Sequence, residues 1–244
     1  MSVIDSAGTL VRSFPLPRPW LLSCDHVGDL LFVAWPGSPR ITVNQSARMA
    51  GDVMLFDATG QSPGSLMRVP VIPTFPPPPL APATNIALSR DRIYIGTEDS
   101  AFVDAYGHDG DLIGTVPIGV AKRPVSDEHF AQAVEGLLDR MAPAQIRDDV
   151  RRQVLAMFSK PEMLPPYSAL FTDPGGFLWV QTSFPGDSVT TLRVVGGTGE
   201  ELADVRLPRS VTVLEIGSDY ILATYETDNG EPCIVMYALR RGAR

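Results

Sequence analysis

The sequence predicts an all-β fold of the β-propeller type, with about four four-stranded antiparallel blades and a two-helix insertion near residues 126–160. Three observations lead there: a turn signature that returns at a long, nearly fixed interval, a strand that leaves each turn and stops at proline, and one interruption with helical periodicity. The turn reads Val3-Ile4-Asp5-Ser6-Ala7-Gly8, Leu55-Phe56-Asp57-Ala58-Thr59-Gly60, Ala105-Tyr106-Gly107-His108-Asp109-Gly110 and Val194-Val195-Gly196-Gly197-Thr198-Gly199. The last glycine of each supplies the φ > 0 that a tight hairpin turn needs, and the polar residues before it bond to their own backbone.

The leaving strands run from Leu10 to Pro17, Ser65 to Pro70, Asp111 to Pro117 and Glu201 to Pro208. Proline lacks the N–H that a sheet ladder uses, so it marks a strand at the sheet edge. Between these hairpins a polar turn precedes an apolar run four times: Gly28 to Val33, Arg90 to Ile95, Pro174 to Val180 and Gly217 to Leu222. These predict the inner strand pair of each unit.

Gly8 to Gly60 spans 52 residues and Gly60 to Gly110 spans 50, close to a four-stranded blade, whereas Gly110 to Gly199 spans 89. The excess is helical. Ser126 has the character of an N-cap, Asp127 and Glu128 suit a first turn, and Phe130, Val134, Leu137, Leu138 and Met141 recur at helical spacing. Pro143 suits the first turn of a second helix, with Ile146, Val150, Val154, Leu155 and Phe158 as its apolar face and Lys160-Pro161 as its end. A β-sandwich also turns often, but it offers no reason for one turn and one terminal proline to return together.

A single domain over 1–244 is expected from length and composition. A net charge of -8 argues against nucleic acid, whose binding draws on Lys and Arg. Cys24 and Cys233 sit in apolar runs near opposite ends, as two buried thiols or as a disulfide between first and last blades. There is no apolar stretch long enough for a membrane span, and no basic region leads into an apolar core at the N-terminus. The expectation is a cytoplasmic protein or one whose start is missing.

In Leu170-Phe171-Thr172-Asp173-Pro174-Gly175-Gly176-Phe177-Leu178-Trp179-Val180, and in the tail with Glu226 to Asn229 and Val235 to Leu239, the chain resembles bacterial six-bladed β-propeller proteins related to NHL repeats. The likeness extends over the proline-rich link Pro73 to Pro82 and the insertion. It implies a partial six-bladed ring, with further blades and an export signal upstream of Met1 and a periplasmic or extracellular location. Closure by Thr9 to Leu16, as fourth strand of a sheet ending in Pro232 to Leu239, would make a monomer; an open arc would self-associate.

Candidate sites are few. Asp25 and His26 follow Cys24, a run that could look like a nucleophile cluster, but adjacent strand residues point to opposite faces, which counts against catalysis there. Glu98, Asp99 and Asp104, with Asp109 and Asp111 nearby, offer oxygens to a hard cation such as calcium, although their spacing fits no known loop and solvated turn carboxylates is the plainer reading. Asp173 heads the motif that carries the resemblance and is expected to cap its own turn before Gly175-Gly176. His108 and His129 are expected at the surface. Trp20, Trp35, Trp179, Tyr94, Phe177 and Phe184 read as packing between blades, with a channel lining as the alternative. The functional expectation is a non-enzymatic module that binds an unknown protein or small molecule, without a cofactor. The alternative is a metal-dependent hydrolase or lyase of the lactonase or amidating-lyase type.

Overall fold

The structure, a computed structural model, describes residues 2–4, 7–13, 23–27, 30–36, 49–56, 61, 64–71, 78–209, 211–227 and 229–241. The chain divides into two compact units, Met1–Val71 and Ile72–Arg244. In the first, β1 (Ser2–Ile4) and β2 (Leu10–Ser13) form a two-stranded sheet, and β3 (Ser23–Val27), β4 (Leu30–Pro36), β5 (Met49–Phe56) and β6 (Ser65–Val71) form a four-stranded antiparallel meander. The second holds two more such meanders: β7 (Asn85–Leu88), β8 (Ile93–Gly96), β9 (Phe102–Tyr106) and β10 (Leu112–Pro117), then β11 (Ala169–Thr172), β12 (Leu178–Gln181), β13 (Val189–Val195) and β14 (Glu201–Pro208). It closes on three strands, β15 (Thr212–Ile216), β16 (Tyr220–Glu226) and β17 (Pro232–Ala238). Within this unit the leading strands adjoin, β7 against β11 and β11 against β15. Consecutive meanders whose first strands gather side by side are propeller blades, and the fold is an all-β propeller with a helical insertion.

The repeated turn has one geometry wherever it is described. Gly8, Gly110 and Gly199 have φ of 80°, 90° and 92°. In the turn after β9 the Gly107 N–H donates to Asp111 O and the Gly110 N–H to Gly107 O; after β13, Gly196 donates to Glu200 O and Gly199 to Gly196 O. The turn after β16, where Thr227 stands in place of the leading glycine, has the same two bonds through Thr227 and Gly230. Gly60 lies outside the described residues. A register shift also sits at the same place in four outer hairpins, so that Val11, Leu66, Ile113 and Leu202 are each the extra residue of a bulge. By this mark β1 and β2 have the character of an outer hairpin. Leu10–Ser13, part of the segment Thr9 to Leu16 expected as a fourth strand for the C-terminal sheet, pairs with β1, and the C-terminal sheet has three strands among the described residues.

Strand β12 shows why the run Phe177 to Val180 is continuously apolar. Leu178 and Val180 join Ala87, Val103, Ala105 and Tyr167 in the core on one face, while Trp179 joins Leu192, Ile216, Ile221 and Ala223 on the other. A sheet covered on both sides has no polar row to show. Tyr167, fully buried, fills the hollow over Gly96: a Cβ there would lie 2.0 Å from its phenolic oxygen.

The insertion is α1 (Asp127–Met141), a 3-10 turn (Ala144–Ile146) and α2 (Arg147–Met157). Ser126 caps α1 as expected, and Val134, Leu137 and Leu138 meet Val154 in a small core of the insertion's own. Pro143 starts the 3-10 turn instead of α2, so the second helix begins only at Arg147. Ile146 and Leu155 are exposed and do not join its apolar face. No helix among the described residues is long and apolar enough to cross a membrane.

The turn glycines differ in what surrounds them. A Cβ on Gly199 would meet Pro117 Cδ at 2.4 Å, whereas on Gly230 the nearest atom among the described residues is Glu226 Oε1 at 3.4 Å. Gly230→Ala is expected to cost about 1–2 kcal/mol for the backbone alone, and Gly199→Ala distinctly more; urea unfolding of the two variants measures the difference.

Candidate functional site

The links between blades and the loops after β8 and β12 lie at one end of the strands, because Asn85 pairs with Gly96 and Ala169 with Gln181. The insertion springs from this end. Its base is a bridge between Pro124 and Met163, closed by the Val125 N–H to Glu162 O and the Leu164 N–H to Arg123 O. Phe130 of α1 packs with Val125, Leu164 and Phe184, tying the insertion's core to the loop after β12.

Asp187 in that loop gathers three elements. Its Oδ2 accepts from Arg123 Nη2 at 2.8 Å and from the Phe184 N–H at 2.8 Å, and its Oδ1 accepts from Arg123 Nη1 at 3.0 Å. Arg123 also donates to Thr182 O and lies over the Phe184 ring. His129 stands 3.0 Å from Asp187 through Nε2, and its Nδ1 accepts from the Ser126 N–H at 3.1 Å. An accepting Nδ1 carries no proton, so the proton of the neutral ring is on Nε2 and is donated to Asp187. Both ring nitrogens are thus engaged, and His129 has no lone pair to offer a nearby serine as a general base. The close approach depends on Gly186, where a Cβ would lie 3.0 Å from His129 and φ is +98°. Burial opposes ionisation of Asp187, but the bonds from Arg123, the Phe184 N–H and His129 outweigh it and hold the carboxyl at about 2.

Beside this node lies a cleft of about 510 Å³ between the chain after β10 and the face of β13 and β14. Arg123 and Arg193 line it with Asp187 and Asp204, and Ser183, Ser188 and Thr191 add hydroxyls. Arg193 spans the gap, donating to Gly119 O at 3.0 Å and to both Asp204 oxygens at 3.1 and 3.2 Å. Each guanidinium therefore already faces a carboxylate, and the four charges of the lining cancel.

The residues singled out in the sequence are dispersed. Asp25 and His26 lie in β3, where their backbones pair with Phe32 and Leu31, and their side chains are outside the described residues. Glu98, at φ 53° in the turn after β8, is buried and accepts from the Ala83 N–H at 2.8 Å and from Asn85 Nδ2. Asp99 is exposed and accepts from Thr97, while Asp104 accepts from Thr115 Oγ1 across the β9–β10 ladder at 2.8 Å. Asp173, at the other end of the strands, caps its own turn through the Gly175 and Phe177 N–H groups. Its second oxygen takes the Trp179 indole at 2.7 Å and Arg241 Nη2 at 2.8 Å. No group of three or more His, Cys, Asp or Glu among the described residues is placed to hold a metal ion. Cys233 carries a free thiol; Cys24 has no described side chain. Trp179 and Phe177 pack between blades as expected, Trp20 lies outside the described residues, and of Trp35 only the backbone is described.

Sequence reasoning passed over Arg123 and Asp187 and put His129 at the surface, where the structure half-buries it against Asp187. Two signals were present: Ser126-x-x-His129, a capping box with imidazole in place of carboxylate, and Pro185-Gly186 before Asp187.

No protein-family model matches the chain, and no curated protein matches it. Among solved structures it is similar to a streptogramin B lyase at 11% identity and a TM-score of 0.39, over 98% of this chain and 62% of that one. It is similar to BamB from Moraxella catarrhalis at 13% identity and a TM-score of 0.39, over 89% of this chain and 42% of that one. A third is the calcium-binding protein regucalcin from Agrobacterium tumefaciens, at 13% identity and a TM-score of 0.38, over 80% and 49%. This chain spans less than two thirds of each of them.

A carboxyl held at about 2 contributes stability that is complete above its unfolded value near 3.9 and is lost as pH falls towards 2. Asp187→Asn, which leaves Arg123 and His129 without their charged partner, is expected to cost about 1–3 kcal/mol near neutral pH. The gap between variant and parent should narrow between pH 4 and pH 2, read by urea unfolding across that range.

Proposed function

We propose that the chain is a non-enzymatic binding module whose ligand is an uncharged, hydrogen-bonding molecule held in the cleft beside the helical insertion. The observation that carries this reading is the internal cancellation of charge. Arg123 and Arg193 are committed to Asp187 and Asp204, so an anionic ligand meets no guanidinium awaiting a partner and would add its charge to a chain of net charge -8. A cation would meet carboxylates already neutralised. Hydroxyls of Ser183, Ser188 and Thr191 and the backbone from Gly119 to Ala121 line the remaining surface, and they suit amide or hydroxyl groups. The absence of a free nitrogen on His129 supports binding over turnover at this place. The chain leading into the insertion, Gly119 to Ala121 and Arg123, supplies one wall, and the bonds at the insertion's base hold it in place.

The test uses the whole chain and two sets of probes: N-acetylated dipeptide amides and neutral disaccharides, against acetate and phosphate. The neutral set is expected to perturb amide resonances of residues 119–123 and 182–191. Ser188→Trp, an exposed position that fills the cleft, should weaken that binding at least tenfold and leave the melting temperature unchanged. Binding by the anions alone contradicts the reading. So does a stoichiometric calcium ion that raises the melting temperature and confers lactone hydrolysis, which is the enzyme alternative.

A further inference from the structure

Helix α1 opens on a reciprocal cap. The His129 N–H donates to Ser126 Oγ at 3.0 Å, and the Ser126 N–H donates back to His129 Nδ1 at 3.1 Å. The third helical residue of such a cap is ordinarily Glu or Gln, whose side-chain oxygen accepts from the backbone whether or not the solution is mildly acidic. Here an imidazole takes that place, and its far nitrogen, Nε2, reaches 3.0 Å to Asp187 in the loop after β12. One flat, rigid ring therefore spans from the start of the insertion to a blade loop, and Gly186 leaves the room for it.

An imidazole can make both bonds in one protonation state only. Neutral, with its proton on Nε2, it accepts at Nδ1 and donates at Nε2. Protonated, it carries a proton on each nitrogen and accepts at neither. The Nδ1 proton then points at the Ser126 N–H, which sets two donors against each other where a donor and an acceptor stood. A half-turn of the ring gives no escape, since it would put carbon where Nδ1 and Nε2 now meet Ser126 and Asp187. The bond to Asp187 is the one that survives. A carboxylate binds imidazolium more strongly than imidazole, and Asp187, held at about 2, stays charged throughout.

The charged groups on the surrounding elements leave this choice unchanged. Arg123 already donates to both Asp187 oxygens. Asp127 and Glu128, which precede the ring on α1, are exposed and paired with Lys160 and Arg209. Gln132 and Ala133, one turn further along α1, carry no charge. Among the described residues, Asp187 is the carboxylate bonded to the ring.

We propose that His129 is a proton-sensitive clasp: a proton taken up at Nδ1 breaks the imidazole half of the α1 cap, keeps the bond to Asp187, and loosens the junction between the insertion's base and its first helix. Ser126 forms that junction, because it follows Val125, whose N–H closes the base on Glu162 O. The hydroxyl half of the cap needs no imidazole acceptor and persists, so the junction responds and the helix stays. The clasp is complete where the ring is neutral and is lost as pH falls through the range, roughly 5 to 8, in which imidazole changes charge. This inference stands on the insertion's own contacts and is independent of what the cleft binds.

NMR of the full chain between pH 8 and pH 5 tests it. At pH 8 the ring nitrogens of His129 should report the tautomer with its proton on Nε2, and the Ser126 amide proton should lie downfield, as its bond to nitrogen requires. As the ring takes up its second proton the Ser126 signal should move upfield with the same midpoint, while the His129 amide, bonded to Ser126 Oγ, keeps its position. His129→Gln restores the usual residue of the cap without a titrating group, and its Ser126 amide should hold one position over the whole range. A Ser126 signal that stays downfield beside a doubly protonated ring overturns the proposal. So does a ring that remains neutral at pH 5. A shift of Ser126 that recurs with the same midpoint in His129→Gln assigns the response to another group and overturns it as well; should that variant not fold, the shared midpoint in the parent decides alone.

Discussion

Tyr167 standing in the hollow over Gly96 is the contact on which the second unit depends. It comes just before β11, so it fixes where one blade begins against the end of β8 in the blade before, and its phenolic oxygen accepts the Glu98 N–H at 3.0 Å. Burial pushes the phenol's ionisation well above its ordinary value, helped by the Glu98 carboxylate nearby. A neutral, hydrogen-bonded aromatic in a dry gap is a rigid spacer. Because each blade buries its faces only against its neighbours, errors at one spacer are not absorbed elsewhere.

The two ends of the strands serve different purposes. At one end Asp173 collects the β11–β12 turn, the Trp179 indole and Arg241, which in turn donates to Gly217 and Ser218 carbonyls in the next blade. That arrangement engages both Asp173 oxygens and stitches two blades together. At the other end Asp187 does the same for the insertion, but it stands at the rim of a cleft. A buried carboxylate, Asp173, and a partly buried one, Asp187, therefore secure the fold at opposite ends of the strands.

Much of the architecture could be read from the chain because it rests on local demands. A turn that needs φ > 0 selects glycine at Gly8, Gly110 and Gly199, and the cap at Ser126 with its acidic first turn announces α1. The second helix was less legible, since Pro143 is equally suited to a 3-10 turn and periodicity alone could not tell that Ile146 and Leu155 face outward. The candidate site was nearly silent for a simple reason. Asp187 meets Arg123 64 residues away and His129 58 residues away, and each member taken singly resembles an ordinary polar surface residue. Glu98 drew notice as one of several turn carboxylates, yet its burial comes from Ala83 and Asn85 at the start of a different strand, which no spacing rule conveys.

The most direct test of blade-on-blade packing is a double-mutant cycle between Gly96 and Tyr167, followed by urea unfolding. A methyl at residue 96 collides first with the phenolic oxygen, at 2.0 Å, and next with the ring carbon that bears it, at 2.9 Å. Gly96→Ala should therefore be strongly destabilising in the parent and clearly less so beside Tyr167→Phe, with a coupling of about 1–3 kcal/mol. Strictly additive losses would contradict the account, because they would mean that the two residues do not share one gap between adjoining blades.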